Sequence, residues 1–459
     1  MVEQAFIDSG DGAVLRETET AGAFPSISRA TYALVLFIFA YFFYFADIQV
    51  ITLLVAPIKQ AYGINDTAFS LLAAGPPMIA IFAMGLPMAA LVDRWNRRNL
   101  LAAAIATWTV TNVLCAFAPN FWVLFALKVG VAMGGAWFYP TVVSLLSDMF
   151  APRHRTMAFT LLQLCGTSGV GLAVLLSGGA IALSHHLAEI ALPFVGHIAW
   201  WQWSFILVSA PAPLGAILLF TIEEPARHKT AQDNGAADAK FLPYLRKHWG
   251  ALAAVALGTS AANILIYASR SWLPEYFIRM FSENPAEAGA LSGLVLTVGS
   301  GFGIGAGGVI AYWLKRRGYE NANLAVVISS YVIPAALIAV LPLLGTPFAA
   351  VIVFGAAFLL FNLHGGPQID IIQGVVPNAF RGRYVTLVLM IGYAGAFLGP
   401  VAVGYLNDHV FGTGTGIRYS MMIALLLSCV SAAALWGARA KSVAALLRSH
   451  TIQPNPLNH

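Results

Sequence analysis

Twelve long apolar runs follow one another along this chain, and no other feature limits its fold so sharply. They lie at about 30–56, 67–92, 99–118, 121–147, 156–183, 200–221, 249–273, 287–313, 322–343, 347–376, 384–407 and 417–438. Most exceed 18 residues and hold few charges, the pattern of a helix that crosses a bilayer. One break is long and charged: 222–248, which opens on Glu223-Glu224-Pro225 and divides the runs six and six. The expected organisation is all-α and membrane-embedded. A cytoplasmic tail at 1–29 precedes a six-helix bundle at 30–221, a cytoplasmic linker at 222–248, a second six-helix bundle at 249–438 and a cytoplasmic tail at 439–459. Charged residues make up only 10% of the 459, against about 25% in soluble domains, so a water-soluble fold would lack polar surface. The first 29 residues are polar, with no apolar core behind a basic start. The first run is therefore expected to act as its own insertion signal.

The basic residues assign the sides. With a cytoplasmic N-terminus, 20 of the 25 Lys and Arg fall on the cytoplasmic side, as the positive-inside rule requires. The exceptions are Lys59, Lys128, Arg270, Arg279 and Arg418. The net charge of +5 follows from this placement and does not point to nucleic acid. Cys115, Cys165 and Cys429 lie inside apolar runs without paired spacing, which excludes a disulfide framework and a thiolate zinc site. A GxGxxG match between Gly299 and Gly308 follows no strand and lies in a membrane run, where small residues let helices pack. No P-loop, metal cluster or catalytic triad pattern occurs, so neither cofactor nor enzymatic activity is expected.

The two halves echo each other. Asp148-Met-Phe-Ala-Pro152-Arg-His-Arg155 closes the fourth run, and Gly374-Val-Val-Pro377-Asn-Ala-Phe-Arg381-Gly-Arg383 closes the tenth. Repeated halves are the mark of a transporter whose site lies between two bundles. After the second run, Ala89 is followed at a spacing of four by Asp93-Arg94-Trp95-Asn96-Arg97-Arg98. This resembles the loop signature of the major facilitator superfamily. It looks most like the Spinster-like branch, where Asn often replaces the second Gly. Trp201-Gln202-Trp203-Ser204-Phe205 before Pro211, Glu224-Pro225-Ala226-Arg227, and Trp272-Leu273-Pro274 extend the resemblance along the chain. The resemblance implies the major facilitator fold, with twelve helices in two pseudo-symmetric six-helix bundles. It also implies that Asp93 bridges the halves as an inner gate. Arg94, Arg97, Arg98, Asp148, Arg155, Asp370 and Arg381 group with that gate.

Charges inside a membrane are costly and by default functional. Asp47 lies about 17 residues into the first run, roughly 25 Å from its start. Lys128 lies about 7 residues into the fourth, roughly 10 Å from its start. The two helices run in opposite directions, so both side chains reach similar depth. Leu127-Lys128-Val129-Gly130, continuing to Gly134-Gly135-Ala136, is similar to the fourth-helix motif of the family, which carries Arg at Lys128 and often Glu at Gly135. In Spinster-like proteins an Asp on helix one pairs with that Arg and takes part in proton coupling, and Asp47 corresponds. A lysine can lose its proton where an arginine cannot. Asp47 and Lys128 are thus expected either to titrate as a coupled unit or to form a structural ion pair.

The candidate cavity residues are Tyr44, Trp137, Tyr139, Asn263, Tyr267, Arg270, His364 and Gln368. Asn263, Tyr267 and Arg270 share one helical face. Arg270 either binds an anionic group or pairs with Glu275. His364 and Gln368 flank Gly365-Gly366-Pro367, a sequence that breaks a helix, and either line the cavity or bond helix to helix. The expected function is secondary active transport, proton-coupled, of an amphipathic or anionic organic solute such as a lysolipid or sphingoid lipid. The alternative is an organic-acid or aromatic-acid anion symporter. A membrane sensor or a membrane enzyme is the rival from another class. The expected setting is a monomer in a bacterial inner membrane.

Overall fold

Every apolar run is helical in the computed structural model. It describes residues 24–187, 198–225, 238–377, 380–412 and 414–451; the side chains at 85–90, 93–94, 152–153, 156, 167, 238–240 and 450–451 lie outside the description. The first half consists of α1 (Ile27–Gln49), a 3-10 turn (Val50–Leu53), α2 (Val55–Tyr62), α3 (Asp66–Arg94), α4 (Arg97–Cys115), α5 (Phe121–Met149), α6 (Pro152–Leu187), α7 (Trp200–Ser209) and α8 (Ala212–Leu219). The second half begins with α9 (Asp238–Phe281), α10 (Pro285–Arg316), α11 (Ala322–Ala339), α12 (Pro347–Asn362) and α13 (Gly365–Gly374). It closes with α14 (Arg381–Leu406), a π turn (Asn407–Phe411), α15 (Ile417–Ala438) and α16 (Ala440–Thr451). Among the described residues, eleven helical segments are long and apolar enough to cross a membrane. The expected span at 99–118 falls outside that group because α4 opens on Arg97-Arg98-Asn99 and carries Thr107, Thr109, Thr111 and Asn112.

The breaks have chemical causes. Gly365-Gly366-Pro367 interrupts the tenth span between α12 and α13, as the sequence predicts, because Pro367 supplies no backbone N–H. Pro211 separates α7 from α8 in the same way. α9 starts at Asp238 and kinks at His248, so the end of the expected linker is already helical. Side-chain caps start many of the helices. Asn65, Asn120, Asn284 and Thr346 each accept a backbone N–H three residues on, a contact that stabilises a helix by about 1 kcal/mol. Asn96, within the loop signature, caps α4 by accepting from the Asn99 N–H at 2.9 Å.

Both ends of the described chain lie on one side, called here the termini side. Contacts between the halves gather toward the opposite, far side. α6 packs on α10 and α3 on α14. The α6–α10 contact runs from Ser168 beside Gly301 to Gly178 beside Ala286, along the far-side part of both helices. Gly171 and Gly293 meet there backbone to backbone, an approach that any side chain would block. The described ion pairs of the termini side stay within one half: Arg29 with Glu223, Arg97 with Asp148 and Glu224, Lys315 with Asp370, Arg448 with Glu320.

A candidate transport site between the halves

The first half buries a polar cluster around Asp47. Its Oδ1 accepts from Asn112 Nδ2 at 2.8 Å and from Ser209 Oγ at 2.7 Å. Oδ2 is buried and has no partner among the described residues. Lys128 is buried beside it. Its Nζ donates to the main-chain oxygen of Asp47 at 3.0 Å and to Asn112 Oδ1 at 3.3 Å, and lies 5.5 Å from the centre of the Phe205 ring. The expected carboxylate–ammonium pair is therefore corrected: both residues belong to one cluster, but the ammonium holds the backbone and the carboxylate holds Asn112 and Ser209. Sequence reasoning missed Asn112 and Ser209. Their signal was faint, since one Asn or Ser in a membrane run has many structural uses.

A group of aromatic side chains lies next to that cluster. Tyr41 is stacked on Tyr44 at 6.3 Å and on Phe138 at 5.5 Å, and lies 5.9 Å from Tyr139. Tyr44 packs against Trp108 and covers Gly135 so closely that a Cβ there would run into its ring. That contact explains why Gly stands at a position where the family often carries Glu. Tyr139 donates to Gln163 Oε1 at 3.1 Å. Across the interface stands Arg270. Its guanidinium lies 5.5 Å from the centre of the Tyr267 ring, and Tyr267, Tyr41 and Tyr393 are its electrostatic neighbours. Among the described residues no carboxylate pairs with it and no side chain accepts from it. Glu275 pairs instead with Arg279, its Oε1 accepting from Nε at 2.7 Å, so the expected alternative of an Arg270–Glu275 pair is not the observed one. The main-chain oxygen of Arg270 accepts from Gln49 Nε2 at 3.4 Å, a bond between the halves two residues beyond Asp47.

Other expected cavity residues lie elsewhere. Trp137 packs on Val92 and Leu100 near the termini side of its own half. Asn263 donates to the Gly392 oxygen at 3.1 Å and ties α9 to α14. His364 and Gln368 are both buried in the second half. His364 bonds through Nδ1 to the Phe361 oxygen at 2.5 Å. Gln368 accepts from the Tyr331 hydroxyl at 3.0 Å and donates to Thr259 Oγ1 at 2.6 Å. The contacts observed for Asn263, His364 and Gln368 are thus bonds within the second half.

The gate residues divide similarly. The side chains of Asp93 and Arg94 lie outside the described residues. Arg97 is buried and joins Asp148, Glu224 Oε1 at 3.3 Å, Ser144 Oγ at 3.1 Å and the Pro225 oxygen at 3.0 Å. Arg98 donates to the Ile222 oxygen at 3.2 Å. Arg155 donates to the Ser147 oxygen at 2.6 Å, capping the end of α5, and Arg381 caps α13 through the Gln373 oxygen at 3.0 Å. Asp370 takes Lys315 and Asn323. In this arrangement these groups staple helices within a half, where a bridge between halves was expected.

The bridge that the structure does show is on the far side, and sequence reasoning missed it. Asp66, fully buried at the start of α3, receives Arg279 Nη1 at 2.6 Å and Nη2 at 3.0 Å from the other half. It also receives Lys59 and, at 3.0 Å, Asn407 Nδ2. Asp408 accepts from the Asp66 and Thr67 N–H groups at 3.1 and 2.7 Å and from Thr67 Oγ1 at 2.6 Å. Two of the five exceptions to the positive-inside pattern, Lys59 and Arg279, meet in this cluster.

The fold has counterparts among known proteins. The fold superimposes on a bacterial homolog of the human lysosomal transporter Spinster, in an inward-facing and unoccupied conformation, with a TM-score of 0.76 at 21% identity, covering 93% of this chain and 98% of that one. In sequence, a gallate transporter of Pseudomonas putida is 27% identical over 410 residues, which is 82% of this chain and 85% of the relative. A gentisate transporter of Corynebacterium glutamicum is 28% identical over 389 residues, 80% of this chain and 78% of the relative. The family description "Major Facilitator Superfamily" matches residues 37–400, and with its two helical halves, its interface and its polar core this chain belongs to that superfamily, as a multi-pass membrane transporter and not an enzyme.

Proposed function

We propose that this transporter carries hydroxylated aromatic monocarboxylates together with protons. One observation supports the reading above the others: Arg270 stands among tyrosines at the interface with no anion from the described protein to pair it. A cation taken from water without a partner is expensive, and a substrate carboxylate supplies the missing charge in a bidentate geometry. The surrounding rings of Tyr41, Tyr44, Tyr139 and Tyr267 offer faces and hydroxyls to an aromatic acid. The relatives named for gallate and gentisate carry substrates of that chemistry. Asp47, with one bare oxygen beside this group, is the proton carrier. Lys128 positions its backbone. With the termini in the cytoplasm, as the placement of basic residues favours, the far side is the outer side and the structure stands inward-facing. Asp93 then serves as the inner gate in the opposite state, where α3 and α14 close on the cytoplasmic side.

A second reading has its own support. An apolar cleft of about 760 Å³ opens between α1, α6 and α10, lined by Val35, Phe39, Phe42, Leu164, Leu172 and Phe302, and suits an acyl chain. A direct comparison separates the two. Purified transporter in proteoliposomes, with the outside acidified, is given radiolabelled 3,4-dihydroxybenzoate in competition with benzoate, tartrate, catechol and lysophosphatidylcholine. Competition by benzoate alone among the four is the expected result. Competition by the lysolipid alone would move the assignment to lipid, and no uptake of any acid would overturn it.

A further inference from the structure

The far-side cluster contains more partners than a permanent clamp needs. The two charges that pair across the halves each have a second partner at home, and the helix start they meet at has a local cap as well. Asp66 is gripped by Arg279 from the other half, yet Lys59 neutralises it from its own. Arg279 is gripped by Asp66, yet Glu275 lies one helical turn away on its own helix. The start of α3 is capped across the interface by Asp408, yet Asn65 caps it locally through the Ala68 N–H at 2.9 Å. Parting the halves therefore leaves Asp66 with Lys59 and Arg279 with Glu275. Neither Asp66 nor Arg279 is then left uncompensated in a partly buried setting, where breaking a pair is strongly destabilising.

We propose that Lys59 and Glu275 are positioning residues of the transport cycle: resident counter-ions that keep Asp66 and Arg279 neutralised while the outer gate is open. This rests on alternating access between the two halves and not on the identity of the substrate. The crossing bonds, Asp66 to Arg279, Asn407 and Asp408, hold the outer side shut. The resident bonds lower the cost of opening it. Asp66 Oδ1 accepts from both Lys59 and Arg279 Nη2, so the resident and the crossing cation share one acceptor. Trp272 flanks Arg279 at 5.5 Å and meets Phe69 of the other half edge-on at 5.9 Å, which seals the cluster from the centre of the protein. Removing a resident ion takes away the partner that its counterpart keeps when the halves part. Removing a crossing partner frees the gate. The two kinds of substitution thus act in opposite directions, whereas a cluster that only holds the fold together would respond to both in the same way.

The test uses the full chain in lipid nanodiscs, with Cys115, Cys165 and Cys429 replaced by Ala. Spin labels are placed at Trp122→Cys and Phe348→Cys, exposed positions at the far-side ends of the two halves. Pulsed electron resonance reads the distance between them. Lys59→Met and Glu275→Gln should enrich the short, outer-closed distance and slow substrate exchange by roughly five- to a hundred-fold. Asp66→Asn should enrich the long, outer-open distance; Arg279→Gln serves the same arm if that variant fails to fold. Shifts of all variants in one direction, or distributions identical to the parent, overturn the proposal. The distance arms need no substrate, so they remain readable whatever the outcome of the competition assay.

Discussion

Two cations inside the spans of this transporter, buried Lys128 in the first half and half-buried Arg270 in the second, are treated in opposite ways. Lys128 donates to the Asp47 main-chain oxygen and to Asn112 Oδ1, over the Phe205 ring. Arg270 has the Tyr267 ring and no anion among the described residues. A protein that needs a charge for its fold gives it partners, since the desolvated ion must be compensated. A charge left bare is compensated only when something arrives. On the proposed function, the contrast assigns the proton site to the first half and the anion site to the second, and Gln49 joins the halves at the Arg270 carbonyl.

The sharpest way to break that contrast is to remove the bare cation. Arg270→Gln should weaken binding of 3,4-dihydroxybenzoate by at least a hundredfold, in line with about 2–5 kcal/mol for truncating one member of a buried charge pair. Arg270→Lys keeps the charge but loses the bidentate fork and should fall between. Isothermal titration in detergent reads both. Binding of Arg270→Gln within threefold of the parent would remove Arg270 from the site.

The next effect concerns Asp47. Its Oδ1 is held by Asn112 and Ser209 while Oδ2 has no partner among the described residues, an arrangement that accepts a proton without breaking a bond. Asp47→Asn should abolish accumulation driven by an acid exterior, a factor of about ten per pH unit for one proton per anion. Exchange of labelled for unlabelled substrate should continue. Undiminished accumulation by the variant places the proton elsewhere.

Much of this molecule is written in its sequence, though unevenly. The spans and their breaks were legible because apolar length and residues such as Pro211 and Pro367 act locally. Which face of a span meets the cavity was not. His364, Gln368 and Asn263 have the right spacing and sufficient depth, yet each bonds within the second half. Spacing defines a face and not its neighbour. Asp47 and Lys128 were found from the cost of charge in a membrane. Their partners were not, since the Lys128 bond goes to a main-chain oxygen that every residue possesses. The far-side cluster joins Asp66 to Arg279 over 213 positions, a distance at which no local pattern reports contact. Its trace was the misplacement of Lys59 and Arg279 in the positive-inside pattern.

The smallest effect is also the one that tests the comparison itself, because the same substitution should act in opposite senses at its two members. Lys128→Met removes the donor to two buried acceptors, the Asp47 oxygen and Asn112 Oδ1. Each acceptor left unsatisfied costs about 1–3 kcal/mol, so the apparent melting temperature in detergent should fall by several degrees. Arg270→Met removes a half-buried cation that holds no anion among the described residues, and a thioether fills its place beside Tyr267. That change should leave the melting temperature unchanged or raise it by a few degrees, although it destroys binding, the pattern of a residue kept for function at the expense of stability. Saturating 3,4-dihydroxybenzoate should then raise the melting temperature of the parent and of Lys128→Met but not of Arg270→Met. Equal losses of stability in the two variants would mean that Arg270, like Lys128, is a structural cation whose partner comes from the protein, and the division of labour between the halves would fall with it.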